Sequence, residues 1–226
     1  FASTNGITIS NNFIDADEDG IDIDIDDDVA IDVTITNNTI SSNDNGIELD
    51  ADDDSSITGT ISGNTITTTS FIYTANGIDI DVDEESIVDL TISNNTIDAE
   101  DDGINIDVDD DSTADIVVSG NDITADEDGI DAYVDDDSFL DLDVISGNTI
   151  VSVNEDGIEL DADDDSSIDF TVTGNTIIAD DDGVDAEETD SSYIDGSITG
   201  NSYSVGDDLL EQSGDVNVTV SGNTSL

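Results

Sequence analysis

The chain has 226 residues, of which 61 are Asp or Glu and none is Lys, Arg or His, so its formal net charge is −61. Nucleic acids and anionic membrane surfaces are excluded as partners, because both are bound through Lys and Arg that displace counterions. Catalysis by His, Lys, Arg or Cys is excluded as well, and any metal ion must be held by oxygen atoms, which favours Ca²⁺ or Mg²⁺.

The hydrophobic third of the composition argues against an acidic disordered tail. Hydrophobic residues make up 35% of the chain, and they alternate with Asp instead of being scattered among acidic residues. No apolar run is long enough to span a bilayer, which predicts no membrane insertion. The chain begins at Phe1 with no basic signal region, so we expect it to be a processed or excised part of a longer polypeptide.

An internal repeat organises residues 1–226 as a single domain. A Gly followed by Ile or Val recurs at intervals of 26, 31, 26, 26, 28 and 26 residues, at Gly20, Gly46, Gly77, Gly103, Gly129, Gly157 and Gly183. About 18 residues after each Gly stands an Asn within a [ST]-[GN]-N motif, at Asn38, Asn64, Asn95, Asn121, Asn148, Asn175 and Asn201. We expect the repeated Gly to supply a backbone angle that other residues resist, and the Asn column to be structural.

Each repeat contains three predicted strands. The first follows the Gly and alternates apolar and acidic residues, as from Ile21 to Ile25, and an acidic turn such as Asp26-Asp27-Asp28 comes next. The second alternates again, as from Ile31 to Ile35, and the third is a brief Asn-Thr-Ile segment before a polar loop. Longer intervals predict larger loops at residues 67–75 and 151–155.

Strands this short cannot bury an apolar face alone, so the repeats must stack around a shared core. We predict an all-β right-handed parallel β-helix of about eight coils of roughly 26 residues, with three short strands per coil. Two inward columns are expected to fill the core: Ile25, Ala51, Val82, Val108, Val134, Ala162; and Ile35, Ile61, Ile92, Val118, Val144, Val172.

The Gly-Ile-x-Ile and Ile-[ST]-[GN]-Asn-Thr-Ile segments resemble the parallel β-helix repeat of the pectin-lyase-like superfamily, from about Asn5 to Asn223. The resemblance implies a parallel β-helix fold. Lyases of that superfamily usually act through Lys, Arg or His, and this chain has none of them, so the resemblance points to an acidic, non-catalytic surface or structural type.

Stacking would align the acidic residues of successive coils about 4.8 Å apart. Each neighbouring pair of charges then repels by about 0.9 kcal/mol in water, and summed over the columns this exceeds the ~5 to 15 kcal/mol of net stability that a domain has. We therefore predict rows of Ca²⁺, with Mg²⁺ as the alternative ion, that join coil to coil along the first strand and its acidic turn. The predicted ligands are Asp22, Asp24, Asp26, Asp28, Glu48, Asp50, Asp52, Asp54, Asp79, Asp81, Asp83, Asp107, Asp109, Asp111, Asp135, Asp137, Asp161, Asp163 and Asp165.

Other readings of the acidic columns remain open. Diffuse monovalent cations could screen them, as in salt-adapted surface proteins. A second acidic set, such as Asp17-Glu18-Asp19, precedes the repeated Gly and is less regular. Outward Thr residues such as Thr34, Thr60 and Thr91 suggest ice binding, although Val117 and an adjacent Asp column interrupt the pattern.

A structural role is the expectation that fits these features best. A carbohydrate-active enzyme using carboxylates alone is the catalytic alternative, but the acidic pairs recur in every coil and the two larger loops hold no acid, base or nucleophile set, so we expect no enzyme. We expect an extracellular or cell-surface rod, filament, matrix element or adhesin stalk, where millimolar Ca²⁺ fills weak sites. Expected partners are divalent cations, further copies stacked end to end and, as a further candidate, a cell-surface or matrix polysaccharide.

Overall fold

The computed structural model describes residues 5–70 and 75–226, which form 26 strands in three parallel sheets. The described residues contain no helix, and so none that could cross a membrane. Every ladder pairs a strand with its counterpart one coil away, in parallel and in register. These features confirm the predicted all-β parallel β-helix of about eight coils. Part of the predicted loop at residues 67–75 lies outside the described residues.

The strand that follows each repeated Gly belongs to an eight-stranded sheet, the first-strand sheet. Period-two alternation of Ile with Asp gives these strands one buried and one outward face, as predicted. The strands are β3 (Ile21–Ile25), β6 (Ile47–Ala51), β9 (Ile78–Val82), β12 (Ile104–Val108), β15 (Ile130–Val134), β18 (Ile158–Ala162), β21 (Asp185–Glu188) and β24 (Glu211–Ser213).

The other two sheets have nine strands each and complete the coil. The second-strand sheet comprises β1 (Asn5–Ser10), β4 (Ala30–Thr36), β7 (Ser56–Ser62), β10 (Ile87–Ser93), β13 (Thr113–Ser119), β16 (Phe139–Ile145), β19 (Ser167–Thr173), β22 (Tyr193–Thr199) and β25 (Val216–Ser221). The third-strand sheet comprises β2 (Phe13–Asp15), β5 (Thr39–Ser42), β8 (Thr65–Thr68), β11 (Thr96–Ala99), β14 (Asp122–Ala125), β17 (Thr149–Ser152), β20 (Thr176–Ile178), β23 (Ser202–Ser204) and β26 (Thr224–Ser225).

A single apolar core runs along the axis of the coils. Both predicted inward columns are buried and in register, as shown by the pairs Val82 with Val108 and Ile92 with Val118. The alternating sequence therefore determines which side of each strand faces the core.

Polar side chains bond the backbone at the corners between sheets. At the corner between the second and third strands, Asn121 Oδ1 accepts hydrogen bonds from the Asn95 backbone N–H at 2.9 Å and from Asn95 Nδ2 at 3.0 Å. The Asn121 Nδ2 in turn donates to the Ile92 carbonyl at 2.9 Å. This pattern recurs along the Asn column, whose predicted structural role is confirmed.

A buried Ser column performs the same task after the acidic turn. The Ser86 N–H donates to Ser112 Oγ, and the Ser112 N–H donates to Ser138 Oγ, each at 3.0 Å. Sequence analysis missed this column because a single Ser after a run of Asp resembles ordinary turn composition.

The repeated Gly is required for space, not for backbone angle, so that expectation was wrong. None of these seven glycines has a positive φ. A Cβ at Gly129 would lie 2.6 Å from the Gly157 carbonyl oxygen and closer still to Ile150 Cγ2. The coils approach each other so closely at this corner that no side chain fits.

Candidate cation site

The predicted acidic columns of the first-strand sheet are in register. Asp24 pairs with Asp50, and Asp81 pairs with both Asp50 and Asp107. Two residues earlier in each strand, a parallel column contains Asp22, Glu48 and Asp79. The carboxylates therefore face one another from coil to coil, as the repeat predicted.

The acidic turn holds its residues in an unusual backbone conformation. Its second and third residues both have positive φ, as at Asp110 (48°) and Asp111 (62°), a region that Asp and Asn tolerate better than most residues. The Asp109 Oδ1 accepts the Asp110 N–H at 2.7 Å, and the Asp111 N–H donates to the Asp136 carbonyl of the next coil at 2.9 Å. Successive turns are thus stacked by hydrogen bonds, with their carboxylates directed outward.

Stacking brings carboxylates of adjacent turns together in groups of three. In each group, one oxygen from every residue lies within 4.8 Å of the others. Each group combines residues of two successive coils, so an ion held there would join them. The groups on the turns include four: Asp26, Asp27 and Asp53; Asp52, Asp53 and Glu84; Asp83, Asp109 and Asp110; and Asp109, Asp135 and Asp136.

The turn groups include some of the predicted ligands and add others. The first residues of five turns, all predicted, take part: Asp26, Asp52, Asp83, Asp109 and Asp135. The second residues, which were not among the predicted ligands, also take part: Asp27, Asp53, Glu84, Asp110 and Asp136. The predicted third residues Asp28, Asp54, Asp111, Asp137 and Asp165 belong to none of these four groups.

The strand rule explains why the second residues were missed. Alternation places the first and third residues of an extended segment on one side, but two consecutive positive φ values end the alternation in the turn. Second and third residues instead line one open groove of about 280 Å³ across three coils, formed by Asp53, Asp54, Glu84, Glu85, Asp110 and Asp111.

Mutual proximity of the turn carboxyls raises their pKa values. A hydrogen bond with Asp53 and the charge of that residue raise the pKa of Glu84 to about 7. The charge of Asp109 raises the pKa of Asp110, and that of Asp135 raises the pKa of Asp136. The shifts at Asp110 and Asp136 reflect repulsion among ionised carboxylates within each turn and, to a smaller extent, between turns, and a bound cation would relieve it.

Half-buried carboxyls continue the acidic surface onto the strands. Burial first, and neighbouring carboxylates second, raise the pKa values of Asp50, Asp81, Asp107 and Asp161 to about 6. Among the described residues, no group donates a hydrogen bond to the buried Asp107 Oδ1.

Tyr133 interrupts this column between Asp107 and Asp161. Its hydroxyl donates to Asp135 Oδ2 at 3.0 Å. Burial, together with that hydrogen bond, raises the pKa of Tyr133 to about 12, which keeps the hydroxyl protonated as a donor.

A second acidic feature, the seam, lies beside the repeated Gly. Its first column is the residue before that Gly, together with Asp208, which precedes Leu209 at the equivalent position. From Asp19 to Asp182, each side chain accepts the backbone N–H of its counterpart in the next coil; for example, the Asp128 N–H donates to Asp102 Oδ1 at 2.9 Å. Its second column is the residue two positions after the Gly. The first column comprises Asp19, Asn45, Asn76, Asp102, Asp128, Asp156, Asp182 and Asp208, and the second comprises Asp22, Glu48, Asp79, Asn105, Asp131, Glu159, Asp185 and Glu211.

Several carboxyls of the seam, such as those of Asp128 and Asp182, are more buried than those of the turns. Burial is the main cause that raises the pKa of Asp131 to about 8, of Asp102 and Glu48 to about 7, and of Asp156 to about 6. Sequence analysis had identified the acidic set before the Gly but not its regular bonding. The presence of Asn45 and Asn76 among the Asp residues of the first column had concealed that Asn and Asp supply the same acceptor oxygen there.

Comparison with known proteins matches part of the chain to a family model. Residues 55–165, just under half of the chain, are similar to a family described as "Protein of unknown function (DUF1565)". No curated protein and no solved structure matches the chain. The matched residues extend from the Ser after the second acidic turn to the end of the sixth, and so include three of the four turn groups in part or whole.

Proposed function

We propose that this chain is an extracellular structural β-helix whose acidic turns bind Ca²⁺ between successive coils. It acts as a rod, filament, matrix element or adhesin stalk. The observation that carries the proposal is the set of turn groups, each of which assembles three carboxylates from two coils within 4.8 Å. We also place the chain with the acidic, non-catalytic members of the pectin-lyase-like β-helices, on the repeat motifs described above.

Charge balance supports a bound cation. The chain has 61 acidic residues and no Lys, Arg or His, so no side chain can neutralise the turns. Hydrogen bonds between successive turns hold the carboxylates in register and prevent them from moving apart. An ion between the coils therefore converts a repulsive contact into an attractive one.

The geometry favours Ca²⁺ over Mg²⁺. Ca²⁺ accepts six to eight oxygen ligands in irregular arrangements, whereas Mg²⁺ requires a near-octahedral shell and retains several waters. Three carboxylates on the outward side of the turns supply part of such a shell and leave solvent to complete it. Weak sites of this kind fill at the millimolar Ca²⁺ found outside cells, which supports an extracellular location.

Calcium titration of the purified protein tests the proposal. Thermal unfolding is followed in EDTA, in CaCl₂ and in NaCl at matched ionic strength, with Ca²⁺ binding measured by calorimetry. We expect saturable stabilisation by Ca²⁺, of about 2.7 kcal/mol per site at a hundredfold excess over Kd. An unchanged melting temperature in EDTA at matched ionic strength, or equal stabilisation by NaCl and CaCl₂, would contradict specific sites and would favour diffuse screening by cations.

A pair of Asp→Asn variants localises the sites. Asp110→Asn removes one turn charge while keeping a residue that tolerates the positive φ at this position. Asp115→Asn on β13 removes one exposed charge outside the turn groups and is the matched control. We expect Asp110→Asn to lose part of the Ca²⁺ response and Asp115→Asn to retain it; equal responses would contradict turn binding.

The recurrence of the acidic groups also supports a structural role without catalysis. Stacking is open at both ends of the described coils, where β1 and β25 each have one neighbour in the second-strand sheet. Further coils, which we propose come from a second copy, would continue the sheets. Sedimentation in Ca²⁺ buffer tests this part, since a monodisperse monomer at high concentration would contradict it. A cell-surface or matrix polysaccharide remains a proposed partner.

A further inference from the structure

The seam changes its chemistry along the molecule. In its N-terminal part, the amides of Asn45, Asn76 and Asn105 stand among the carboxylates. Asn45 Nδ2 donates to Asp79 Oδ2 at 2.7 Å, and Asn105 Nδ2 donates to Asp79 Oδ1 at 2.8 Å. The Asp79 carboxylate therefore accepts hydrogen bonds from neutral amide donors at both of its oxygens, without a proton or an ion.

From Asp128 onward, both columns of the seam contain only carboxyl groups. Asp128 is 5% exposed, and among the described residues the one N–H that donates to it is that of Asp156, which bonds to Oδ1 at 2.7 Å. The Asp128 carboxyl also lies against that of Glu159, in a group of three with Asp156 whose oxygens are within 4.8 Å of one another. Two ionised carboxylates are both acceptors, so this contact lacks a donor.

We propose that Asp128 is protonated in the folded protein at neutral pH and donates a hydrogen bond to Glu159, forming a pH-sensitive clasp between two coils. The Asp128 hydroxyl takes the place that an Asn amide occupies in the N-terminal part of the seam. Asp and Asn have nearly the same shape, so a protonated Asp fits the repeat without a change in the backbone. This inference is independent of calcium at the turns.

The surroundings of the pair favour a held proton. Asp128 lies in the segment before β15, and Glu159 lies on β18 of the next coil. The titratable groups that face the pair are all carboxyls, so no cationic side chain competes with the proton: Asp102, Asp131, Asp156, Asp161 and Asp185. Burial, followed by the contact with Glu159, raises the pKa of Asp128, in agreement with the geometry.

Opening of the clasp follows deprotonation. When Asp128 ionises, the hydrogen bond is replaced by repulsion between two carboxylates in a buried position. The coils on either side are then still joined by the backbone ladders, the Asn and Ser columns and the apolar core, so the weakening is local to the seam. We therefore expect this part of the helix to weaken at alkaline pH, while the N-terminal part of the seam, with its amide donors, is less affected.

Infrared spectroscopy and an Asn variant test the clasp. Wild-type protein, Asp128→Asn and the control Asp115→Asn are measured in EDTA at constant ionic strength. At pH 7 we expect a protonated-carboxyl carbonyl band in wild type and in the control, reduced by one group in Asp128→Asn. Unfolding at a fixed pH between 6 and 9 should also release about one proton fewer in Asp128→Asn than in wild type.

The stability and the Ca²⁺ binding of Asp128→Asn distinguish a protonated carboxyl from a metal ligand at this position. Asp128→Asn should be at least as stable as wild type at pH 8, because the amide supplies the donor without a proton. An unchanged carboxyl band in Asp128→Asn, or an unchanged pH dependence, would overturn the proposal. A loss of Ca²⁺ binding in this variant would also overturn it, since the group would then hold a metal ion. If Asp128→Asn does not fold, Glu159→Gln replaces it: the Gln amide supplies the missing donor to Asp128, so the band should again fall by one group, and an unchanged band would overturn the proposal.

Discussion

Replacing Gly129 with Ala tests how closely the coils pack. The new Cβ would lie 2.6 Å from the Gly157 carbonyl oxygen and closer still to Ile150 Cγ2. Ordinary contacts between heavy atoms are about 3.5 to 4.0 Å, so the coils would have to separate by about 1 Å at this corner.

The surrounding backbone resists this separation. Gly129 N–H donates to the Asp156 carbonyl at 3.1 Å, and Ile130 N–H donates to the Gly157 carbonyl at 3.2 Å. Overpacking usually costs about 1 to 3 kcal/mol, and it costs more where the opposing atom belongs to the backbone and cannot rotate away. We expect Gly129→Ala to lower the free energy of unfolding by about 3 kcal/mol or more.

Urea unfolding in Ca²⁺ buffer measures the effect, with Gly200 as the comparison. Gly200 has a φ of +68° but open space around its Cβ position, so Gly200→Ala should cost about 1 to 2 kcal/mol through backbone conformation alone. Gly200→Asn should cost little, because Asn37 and Asn94 already occupy the equivalent corner with φ of 55° and 56°. A loss below about 1 kcal/mol in Gly129→Ala, or a larger loss in Gly200→Ala, would refute the spatial explanation.

Three further predictions concern the polar columns. Asn121→Ala should lower the free energy of unfolding by at least about 3 kcal/mol, because it removes four side-chain hydrogen bonds and leaves buried backbone groups unpaired. Urea midpoints measure this loss, and a loss under about 1 kcal/mol would contradict the expectation. The pKa of Asp131 is raised to about 8, so the folded state holds more protons than the unfolded state from about pH 4 to pH 8. The urea midpoint in EDTA should therefore fall as pH rises through this window. A rising midpoint would contradict the raised pKa of Asp131. Tyr133→Asp completes the column between Asp107 and Asp161, so it should lower the melting temperature in EDTA, whereas an unchanged or higher value would show that repulsion along the column is negligible.

The columns of the β-helix were predictable because they depend on periodicity alone. Once the repeated Gly and Asn were aligned, each residue of a coil had a defined neighbour above and below, and alternation assigned it to the core or the surface. The pairing of Asp81 with Asp107 and of Val82 with Val108 follows directly from that alignment.

The polar details were not predictable because they depend on backbone angles and on individual oxygen atoms. Asp110 joins the turn group since the chain adopts two positive φ values there, which no alternation pattern indicates. Asn45 and Asp102 perform one bonding role in the seam with different charges. The repeated Gly was assigned the wrong physical cause because the sequence does not show how closely Gly129 approaches Gly157.

Crystals grown with saturating Ca²⁺ would test the central proposal most directly, through an anomalous difference map. We predict ordered peaks between successive acidic turns, in contact with the carboxylates of Asp83, Asp109 and Asp110 and of Asp109, Asp135 and Asp136. A well-ordered map in which the turns bind only water would contradict the account.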